Sequence, residues 1–282
     1  MRCLKKWVGI FGFLFALAYF CGAAYAQTDS FRTVAVYDMQ QGKIVGNLSL
    51  PCVNGKIYID RNGKRIALGL DGELRSAISD GNKIYYTICK TYLDRAYSKG
   101  MLYQINADGS AKKKLLTARI DSAELVLELA GCYGDRLYYV KAEYEAEIDC
   151  PFYSYSLKTK KTEKVVKKNS GIVRQYGKYF VMHPATGNIF PLPYTVYNAK
   201  TGKASVFTKK GAIHYYKKNR IYYAEFIKET GPSYSFAMKR MDMDGEHKKT
   251  LAKISNVSCI TELTDKYVKY SGTDSREHVK RF

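Results

Sequence analysis

"GDRLYYV" at residues 134–140 and "NRIYYAE" at 219–225 are two copies of one phrase, in which a polar turn precedes an apolar residue and two further strand formers. Related versions are "NKIYYTI" at 82–88, "GKIYIDR" at 55–61 and "GKYFVMH" at 177–183. Aromatic and β-branched residues that follow Gly, Asn or Asp are typical of a strand after a tight turn. The phrase therefore predicts a β-strand that recurs along the chain.

A second phrase follows most copies of the first, and it consists of a strand, a polar turn and another strand. It reads "MLYQINADGSAKKKLL" at 101–116, "FYSYSLKTKKTEKVV" at 152–166, "YTVYNAKTGKASVF" at 194–207 and "FAMKRMDMDGEHKKTL" at 236–251. Asp-Gly and Thr-Gly pairs mark hairpin turns in three of these. The central triplets of the first phrase begin at residues 57, 84, 137, 179, 221 and 267. Several short strands in each period, with no helix, are typical of a β-propeller blade of about 40–45 residues.

The two ends of the repeat region are complementary. "TVAVYDMQQGKIVGNL" at 33–48 matches the second phrase, although no first phrase precedes it. "DKYVKY" at 265–270 matches the first phrase close to the C-terminus, and 277–282 could add one more strand. Pairing of these ends would leave no free strand edge. We therefore predict an all-β fold, a six-bladed β-propeller closed by N-terminal strands that pair with the C-terminal blade.

The same residues carry a family resemblance. "GDRLYYV" together with "LYQINADGS" at 102–110 resembles the repeats of bacterial exported proteins that are grouped as a domain of unknown function. Those repeats are similar to TolB-like propellers and to the YWTD six-bladed propellers of low-density-lipoprotein receptors. The resemblance covers about residues 31–282 and implies an exported propeller. This chain has Tyr-Tyr where the receptor repeats have Tyr-Trp-Thr-Asp, so receptor chemistry does not follow from the resemblance.

The N-terminal segment has the parts of a secretory signal peptide. A basic head precedes an apolar stretch at 7–24, which ends in Ala24-Tyr25-Ala26. We expect residues 1–26 to be a cleaved signal peptide and residues 27–282 to form a single domain, secreted or held in the periplasm or cell envelope. An uncleaved N-terminal membrane anchor is the alternative, because about 18 apolar residues approach the length that spans a bilayer.

The charge of the chain favours an anionic partner. Without the leader, 43 Lys and Arg residues face 26 Asp and Glu residues, which gives a net charge of +17. Such an excess attracts polyanions and anionic surfaces. For an exported chain we expect a protein or glycan ligand or an anionic cell-envelope polymer, rather than nucleic acid. The five cysteines outside the leader lack Cys-x-x-Cys spacing, and their disulfide pairing stays open; they are Cys52, Cys89, Cys132, Cys150 and Cys259.

Two oppositely charged segments are the candidate sites. In an extended strand, every second residue lies on the same face, so 142–149 predicts an acidic stripe, a candidate rim site for a cation or a basic ligand. Its members are Glu143, Glu145, Glu147 and Asp149. The segment 158–168 predicts a turn and an outer strand that carry candidate polyanion-binding residues. These are Lys158, Lys160, Lys161, Lys164, Lys167 and Lys168. A solvated strand face is the alternative interpretation of each segment.

Catalytic signatures are missing from the sequence. The four histidines have no His-x-x-x-His spacing, and neither a Gly-x-Ser-x-Gly elbow nor a phosphate-binding Gly-x-x-x-x-Gly-Lys-Ser/Thr loop occurs. We therefore expect no catalytic residue, metal or cofactor, and we predict a non-catalytic binding or scaffold module. The alternative is a metal-dependent, lactonase- or dehydrogenase-like enzyme that uses the central channel. Its candidate residues precede the inner strands, where turn formation also explains them; they are Asn54, Asp80, Asp135, Asn219 and Asp265.

Overall fold

The structure is a computed structural model that describes residues 31–53, 56–61, 64–70, 72–92, 97–120, 125–143, 150–168, 170–184 and 192–282. Within these ranges every regular element is a β-strand, so the prediction of an all-β fold is confirmed. None of the described residues forms a helix of the length and apolarity needed to cross a membrane. The predicted signal peptide lies outside the described residues.

The described residues form 21 strands. The first twelve are β1 (Phe31–Asp38), β2 (Lys43–Val53), β3 (Lys56–Arg61), β4 (Lys64–Ala67), β5 (Glu73–Ser79), β6 (Lys83–Tyr92), β7 (Tyr97–Asn106), β8 (Lys113–Ile120), β9 (Leu125–Tyr133), β10 (Arg136–Glu143), β11 (Phe152–Ser156) and β12 (Thr162–Val166). The others are β13 (Ile172–Tyr176), β14 (Tyr179–His183), β15 (Leu192–Asn198), β16 (Lys203–Lys217), β17 (Arg220–Thr230), β18 (Ser233–Asp242), β19 (Lys249–Leu263), β20 (Tyr267–Gly272) and β21 (Glu277–Arg281).

The chain divides into two compact units. Unit 1 comprises Met1–Gly171 and Ala185–Asn188, and unit 2 comprises Ile172–Pro184 and Ile189–Phe282. The described strands of unit 1 form an eight-stranded sheet, in the order β4-β3-β2-β1-β5-β6-β7-β8, and a four-stranded sheet, in the order β12-β11-β10-β9. Those of unit 2 form one sheet in which β13 to β21 follow each other in chain order. The expectation of a single domain stays a prediction.

The N-terminal segment forms the strand–turn–strand unit that the sequence predicts. β1 forms an antiparallel ladder with β2, from Phe31↔Pro51 to Asp38↔Lys43, and a short parallel ladder with β5 at Ala35↔Ile78. A short loop closes the β1–β2 hairpin at small entropic cost. The pairing of this segment with the C-terminal strands stays a prediction.

Two long strands in unit 2 each belong to two successive groups of strands. In β16, Lys203–Thr208 pair with β15 and Ile213–Lys217 pair with β17, while Gly211 has a partner on both sides. In β19, the first part pairs with β18 and the last part with β20, and Val257 has a partner on both sides. The nine-stranded sheet thus consists of two four-stranded meanders, which share β16, and a final group of three strands, which shares β19 with the second meander. The first two groups match the predicted period of four strands.

The recurring tyrosine phrase is the core of each meander. Tyr86, Leu137, Phe180 and Tyr223 have at most 1% of their surface exposed. In unit 1, the β6 residue Tyr85 and the β10 residues Leu137 and Tyr139 belong to one apolar cluster, so the eight-stranded and four-stranded sheets pack on each other. Burial of both faces explains why the phrase is apolar or aromatic at successive positions rather than at alternate ones.

The β7–β8 and β18–β19 hairpins share one turn geometry. In each, a residue with a positive φ, Ala111 (52°) or His247 (50°), directly precedes a lysine. The backbone bonds also match, since Asn106 N–H donates to the Ser110 carbonyl at 3.0 Å and the corresponding bond of Asp242 measures 2.9 Å. We call these two turns the Asp-Gly turns, after the dipeptide that both contain.

A different, shorter turn closes the β1–β2, β11–β12 and β15–β16 hairpins. The residue with a positive φ is Gly42 (63°), Lys160 (61°) or Gly202 (70°), and its N–H donates to the carbonyl of the residue four positions earlier. The left-handed conformation costs a non-glycine residue about 1 kcal/mol. The β11–β12 turn is the one of these three in which a lysine takes the place that glycine holds in the others.

Candidate functional site

The lysine-rich segment predicted from the sequence lies on one hairpin of unit 1. We call residues 152–168, with β11, β12 and the turn between them, the basic hairpin. Its six candidate lysines are all exposed; three lie in the turn, one on β12 and two directly after it. They are Lys158, Lys160, Lys161, Lys164, Lys167 and Lys168. The turn and outer strand expected for this segment are therefore confirmed, whereas the binding role stays a prediction.

The single carboxylate within 158–168 forms an ion pair with an arginine outside that segment. Glu163 receives both of its contacts from Arg136 on β10, at 2.5 Å (Nη1–Oε2) and 3.4 Å (Nη2–Oε1). These bonds lower the pKa of Glu163, so the carboxylate stays ionised and tied to Arg136 at neutral pH. With six lysines and one carboxylate, which binds Arg136, the segment 158–168 carries an excess of positive charge.

Two lysines of the basic hairpin have local contacts within the hairpin. The Lys160 ammonium donates to the Leu157 carbonyl, inside the same turn. Lys164 Nζ lies 5.7 Å from the centroid of the Tyr153 ring, within the range of a cation–π contact. Both contacts leave the side chains on the surface, and such exposed contacts contribute little to stability.

The lysines that follow the two Asp-Gly turns have a different environment. Lys112 Nζ donates to the carbonyls of Leu68, at 3.2 Å, and Gly69, at 2.8 Å. Lys248 Nζ donates to the Phe207 carbonyl at 3.0 Å. In both hairpins the lysine thus binds main-chain oxygens that lie more than 40 positions earlier in the sequence. These two lysines brace one meander against the preceding segment of their own unit.

The predicted acidic stripe falls mostly outside the described residues. The backbone of Glu143 ends β10, where it pairs with Leu125. Glu145, Glu147 and Asp149 lie in the range 144–149, which the structure does not describe. The stripe therefore stays a prediction as a candidate site for a cation or basic ligand.

Three polar residues that precede the inner strands are engaged in turn and strand contacts. Asp80 Oδ1 accepts from the N–H groups of Asn82, at 2.9 Å, and Lys83, at 2.6 Å. Asp135 Oδ2 accepts from the Ser156 hydroxyl at 2.7 Å. Asp265 binds Lys217 Nζ at 2.8 Å and 3.0 Å. These contacts fit the turn interpretation of the residues; Asn54 lies outside the described residues.

The residues that the structure describes contain neither a candidate metal site nor a disulfide. Among the residues that the structure describes, no group of three or more His, Cys, Asp or Glu side chains is arranged to hold a metal ion. The five cysteines outside the leader are all present as thiols, with Cys259 exposed and Cys89, Cys132 and Cys150 buried. Burial raises the pKa of the Cys132 thiol to about 12, so this thiol stays protonated at neutral pH.

Two histidines that are far apart in the sequence lie against the same tyrosine ring in unit 2. The His183 ring, at the end of β14, stacks on Tyr194 with 4.8 Å between centroids. His214, on β16, meets the same ring edge-on at 5.5 Å. Gly211 makes room for this ring, because a Cβ there would lie 3.0 Å from it.

Further residues of unit 2 extend this group. The Tyr176 hydroxyl lies 3.3 Å from His214 Nε2, and the Tyr176 ring stacks on Tyr216 at 4.4 Å. Burial raises the pKa of the Tyr176 hydroxyl, and the positive charge of Arg174 on β13 opposes this rise. We call the whole group the histidine–tyrosine cluster; it consists of Arg174, Tyr176, His183, Tyr194, His214 and Tyr216. The sequence analysis missed it, because the 30 residues between the two histidines match no known ligand spacing.

Comparison with known proteins yields structural neighbours only. The fold is similar to that of an uncharacterized protein from Listeria monocytogenes EGD-e, with 8% sequence identity over 90% of this chain and 83% of that chain and a TM-score of 0.47. It is similar to the β-propeller domain of the Trilobed protease from Pyrococcus furiosus, with 10% identity over 74% and 68% of the two chains and a TM-score of 0.46. TolB from Acinetobacter baumannii matches with 13% identity over 88% and 62% and a TM-score of 0.39.

No protein-family profile matches the chain, and no curated protein sequence does either. The structural neighbours thus include TolB and a β-propeller domain, and similarity at this level concerns the fold alone. A closed ring of six blades stays a prediction.

Proposed function

We propose that this protein is an exported, non-catalytic binding module of the β-propeller type that contacts an anionic polymer of the cell envelope through the basic hairpin. The observation that supports the proposal is the local charge imbalance. Six exposed lysines lie within 11 residues, and Arg136 occupies the one carboxylate among them. Exposed cations of this density attract a polyanion without requiring a shaped pocket.

The backbone of the turn gives independent support. Lys160 adopts a left-handed conformation that the corresponding hairpins reserve for Gly42 and Gly202. Backbone strain of this kind is often retained where a side chain has a function that compensates for it. A lysine at the tip of the hairpin adds a positive charge at its most exposed point, which suits contact with an extended anionic chain.

Binding to isolated cell envelopes, measured by sedimentation across a salt series, tests the proposal. Dextran sulfate serves as a defined soluble polyanion in parallel. The test variant replaces four lysines of the basic hairpin, Lys158, Lys160, Lys161 and Lys164, with glutamine. The matched control removes the same charge from the exposed lysines of the β15–β16 region, Lys200, Lys203, Lys209 and Lys210. Each lysine contributes about 1 kcal/mol at an anionic membrane surface at low salt.

We expect the test variant to bind at least about ten-fold more weakly than the control variant. The difference should disappear near 1 M salt, where the Debye length falls to about 3 Å. Equal losses in the two variants would show that total charge rather than the basic hairpin matters. Binding by neither variant nor wild type at low salt would remove the envelope polymer as a partner.

A further inference from the structure

Among the described strands, the nine-stranded sheet of unit 2 ends on a group that has one strand fewer than the others. The first two groups each contain four strands, whereas the last consists of the second part of β19, β20 and β21. In the described ranges, β21 pairs with β20 on one side only. An edge strand of this kind presents main-chain donors and acceptors that can pair with a further strand. The outer edge of β21 is therefore a candidate for strand addition.

The backbone bonds to β20 show which main-chain groups of β21 point outward. At one end of the ladder the Phe282 N–H donates to the Lys266 carbonyl at 3.0 Å, and at the other the Gly272 N–H donates to the Arg276 carbonyl at 2.9 Å. Successive residues of an antiparallel strand direct their N–H and C=O groups to opposite sides, and the β20–β21 ladder has no register shift. The residues whose main-chain groups face away from β20 are therefore Glu277, Val279 and Arg281.

The side chains of these three residues are exposed and have a self-complementary order. Val279 has 50% of its surface exposed, although it is a large apolar residue. Glu277 and Arg281 are exposed on either side of it, and neither forms an ion pair within the part of the chain that the structure describes. All three lie on one face of the sheet, because alternate residues of a strand share a face. The same segment read in the opposite direction places a guanidinium opposite a carboxylate at both ends.

We propose that β21 is a dimerisation edge, which pairs in antiparallel orientation with β21 of a second copy of this chain, centred on Val279. In this register Val279 lies opposite Val279 of the second copy, and Glu277 of each copy lies opposite Arg281 of the other. The outward-facing residues then exchange both main-chain hydrogen bonds with their counterparts. An ion pair at each end and an apolar pair in the middle add cross-strand contacts on one face. The second copy takes the position of a fourth strand in the last group.

The charges on β21 select this register over its neighbours. Charged residues often prevent an edge strand from pairing, so their placement decides which partner is accepted. A shift of the second copy by two residues would set Glu277 or Arg281 opposite Val279 and would lose both ion pairs. On the other face, Lys280 lies opposite His278 of the second copy, whose contact with Asp274 at 3.1 Å places a carboxylate nearby. Because the edge is short, we expect a weak dimer with a dissociation constant of about 10–100 μM.

Sedimentation equilibrium of the purified protein over about 1–500 μM measures this association. A salt concentration of about 0.15 M screens the net charge of the chain beyond about 8 Å. Glu277→Arg and Arg281→Glu each place like charges opposite each other at both ends of the pairing. We expect each variant alone to dimerise at least about ten-fold more weakly than wild type. The double variant Glu277→Arg/Arg281→Glu restores opposite charges and should dimerise within about three-fold of wild type. A mixture of the two single variants should form heterodimers for the same reason.

Two further variants separate the edge from the rest of the surface. Glu229→Arg makes the same charge change as Glu277→Arg at an exposed position of β17, so it is the matched control and should dimerise like wild type. Val279→Pro removes a main-chain donor from the middle of the pairing. The Val279 N–H faces away from β20, so proline there leaves the ladder inside the chain intact. We expect this variant to melt close to the wild-type temperature and to remain monomeric up to about 500 μM.

Three results would overturn the assignment. The first is a wild-type monomer at every concentration, whether the edge stays free or another segment of the chain covers it. The second is equal weakening by Glu277→Arg and Glu229→Arg, or a double variant that does not regain the wild-type affinity. The third is a dimer of wild-type affinity in Val279→Pro. The strand β21 lies in unit 2 and the basic hairpin is intact in every variant, so these outcomes do not depend on polyanion binding.

Discussion

The basic hairpin and the two hairpins with Asp-Gly turns place lysines at similar points of the repeat, yet the lysines do different things. After the Asp-Gly turns, Lys112 and Lys248 reach back to carbonyls of an earlier segment and brace the fold. In the basic hairpin, the turn is shorter and Lys160 reaches only the carbonyl of Leu157 inside the same turn. Turn geometry, rather than the presence of lysine, thus decides whether the charge serves stability or remains at the surface.

Removal of both bracing lysines should have the largest effect on stability. A hydrogen bond from a charged donor contributes about 1.5–3 kcal/mol, and we expect about 1 kcal/mol for each here because the ammonium groups are largely exposed. The double variant Lys112→Gln/Lys248→Gln should lower the free energy of unfolding by about 2 kcal/mol. Each kcal/mol corresponds to about 2–4 °C in Tm for a chain of about this size.

Thermal unfolding followed by circular dichroism measures this difference. The control variant, Lys158→Gln/Lys161→Gln, removes the same charge from the basic hairpin and should unfold at the wild-type temperature. A control that loses as much stability as the bracing variant would abolish the distinction between the two kinds of hairpin.

The pH dependence of stability tests the same region without a change of any lysine. The strand β16 carries both Phe207, whose carbonyl accepts from Lys248, and His214. The pKa of His214 is about 3 in the folded chain and about 6.5 in the unfolded chain. The unfolded state therefore binds more protons between these values, so this contribution to stability is complete above pH 6.5 and declines as the pH falls. Allowing for partial exposure, we expect a loss of about 1 kcal/mol at pH 5.

Denaturant unfolding at pH 7 and pH 5 measures the loss. His214→Gln should flatten this part of the pH profile. A wild-type slope in His214→Gln would mean that another group accounts for the acid sensitivity.

Exchange of lysine and glycine at the positive-φ position of the shorter turns should have the smallest effect on stability. Lys160→Gly should stabilise the chain by up to about 1 kcal/mol, because glycine adopts the left-handed conformation without a steric cost. It should also weaken polyanion binding slightly, through the loss of one charge. Gly202→Lys should have the opposite effect on stability. Melting temperatures and dextran sulfate titrations of both variants check the two signs, and a Lys160→Gly variant that is less stable than wild type would refute the turn argument.

The strand content and the turns could be predicted from the sequence because both depend on neighbouring residues. The tyrosine phrases form buried strands, and Gly109, Gly202 and Gly245 all lie in turns with positive φ. The short parallel ladder between β1 and β5 could not be predicted in this way, because it joins two segments that are distant in the sequence.

The bracing role of Lys112 and the histidine–tyrosine cluster were not visible in the sequence for a related reason. A main-chain carbonyl leaves no signature in the sequence, so the acceptors at Leu68 and Gly69 could not be recognised. His183 and His214 reach the same tyrosine ring only through the register of β14, β15 and β16 and the space at Gly211. Both features depend on which segments become neighbours, and residue spacing alone does not encode that information.

The strands β16 and β19 have a consequence for dissection of the molecule. Because Gly211 and Val257 each pair with strands on both sides, the smallest repeated module of unit 2 begins and ends in the middle of a strand. A protease that cuts a hairpin tip would therefore leave successive modules covalently joined through an intact strand. Fragments intended to preserve whole modules should instead be divided at Gly211 and Val257, where one group of strands ends and the next begins.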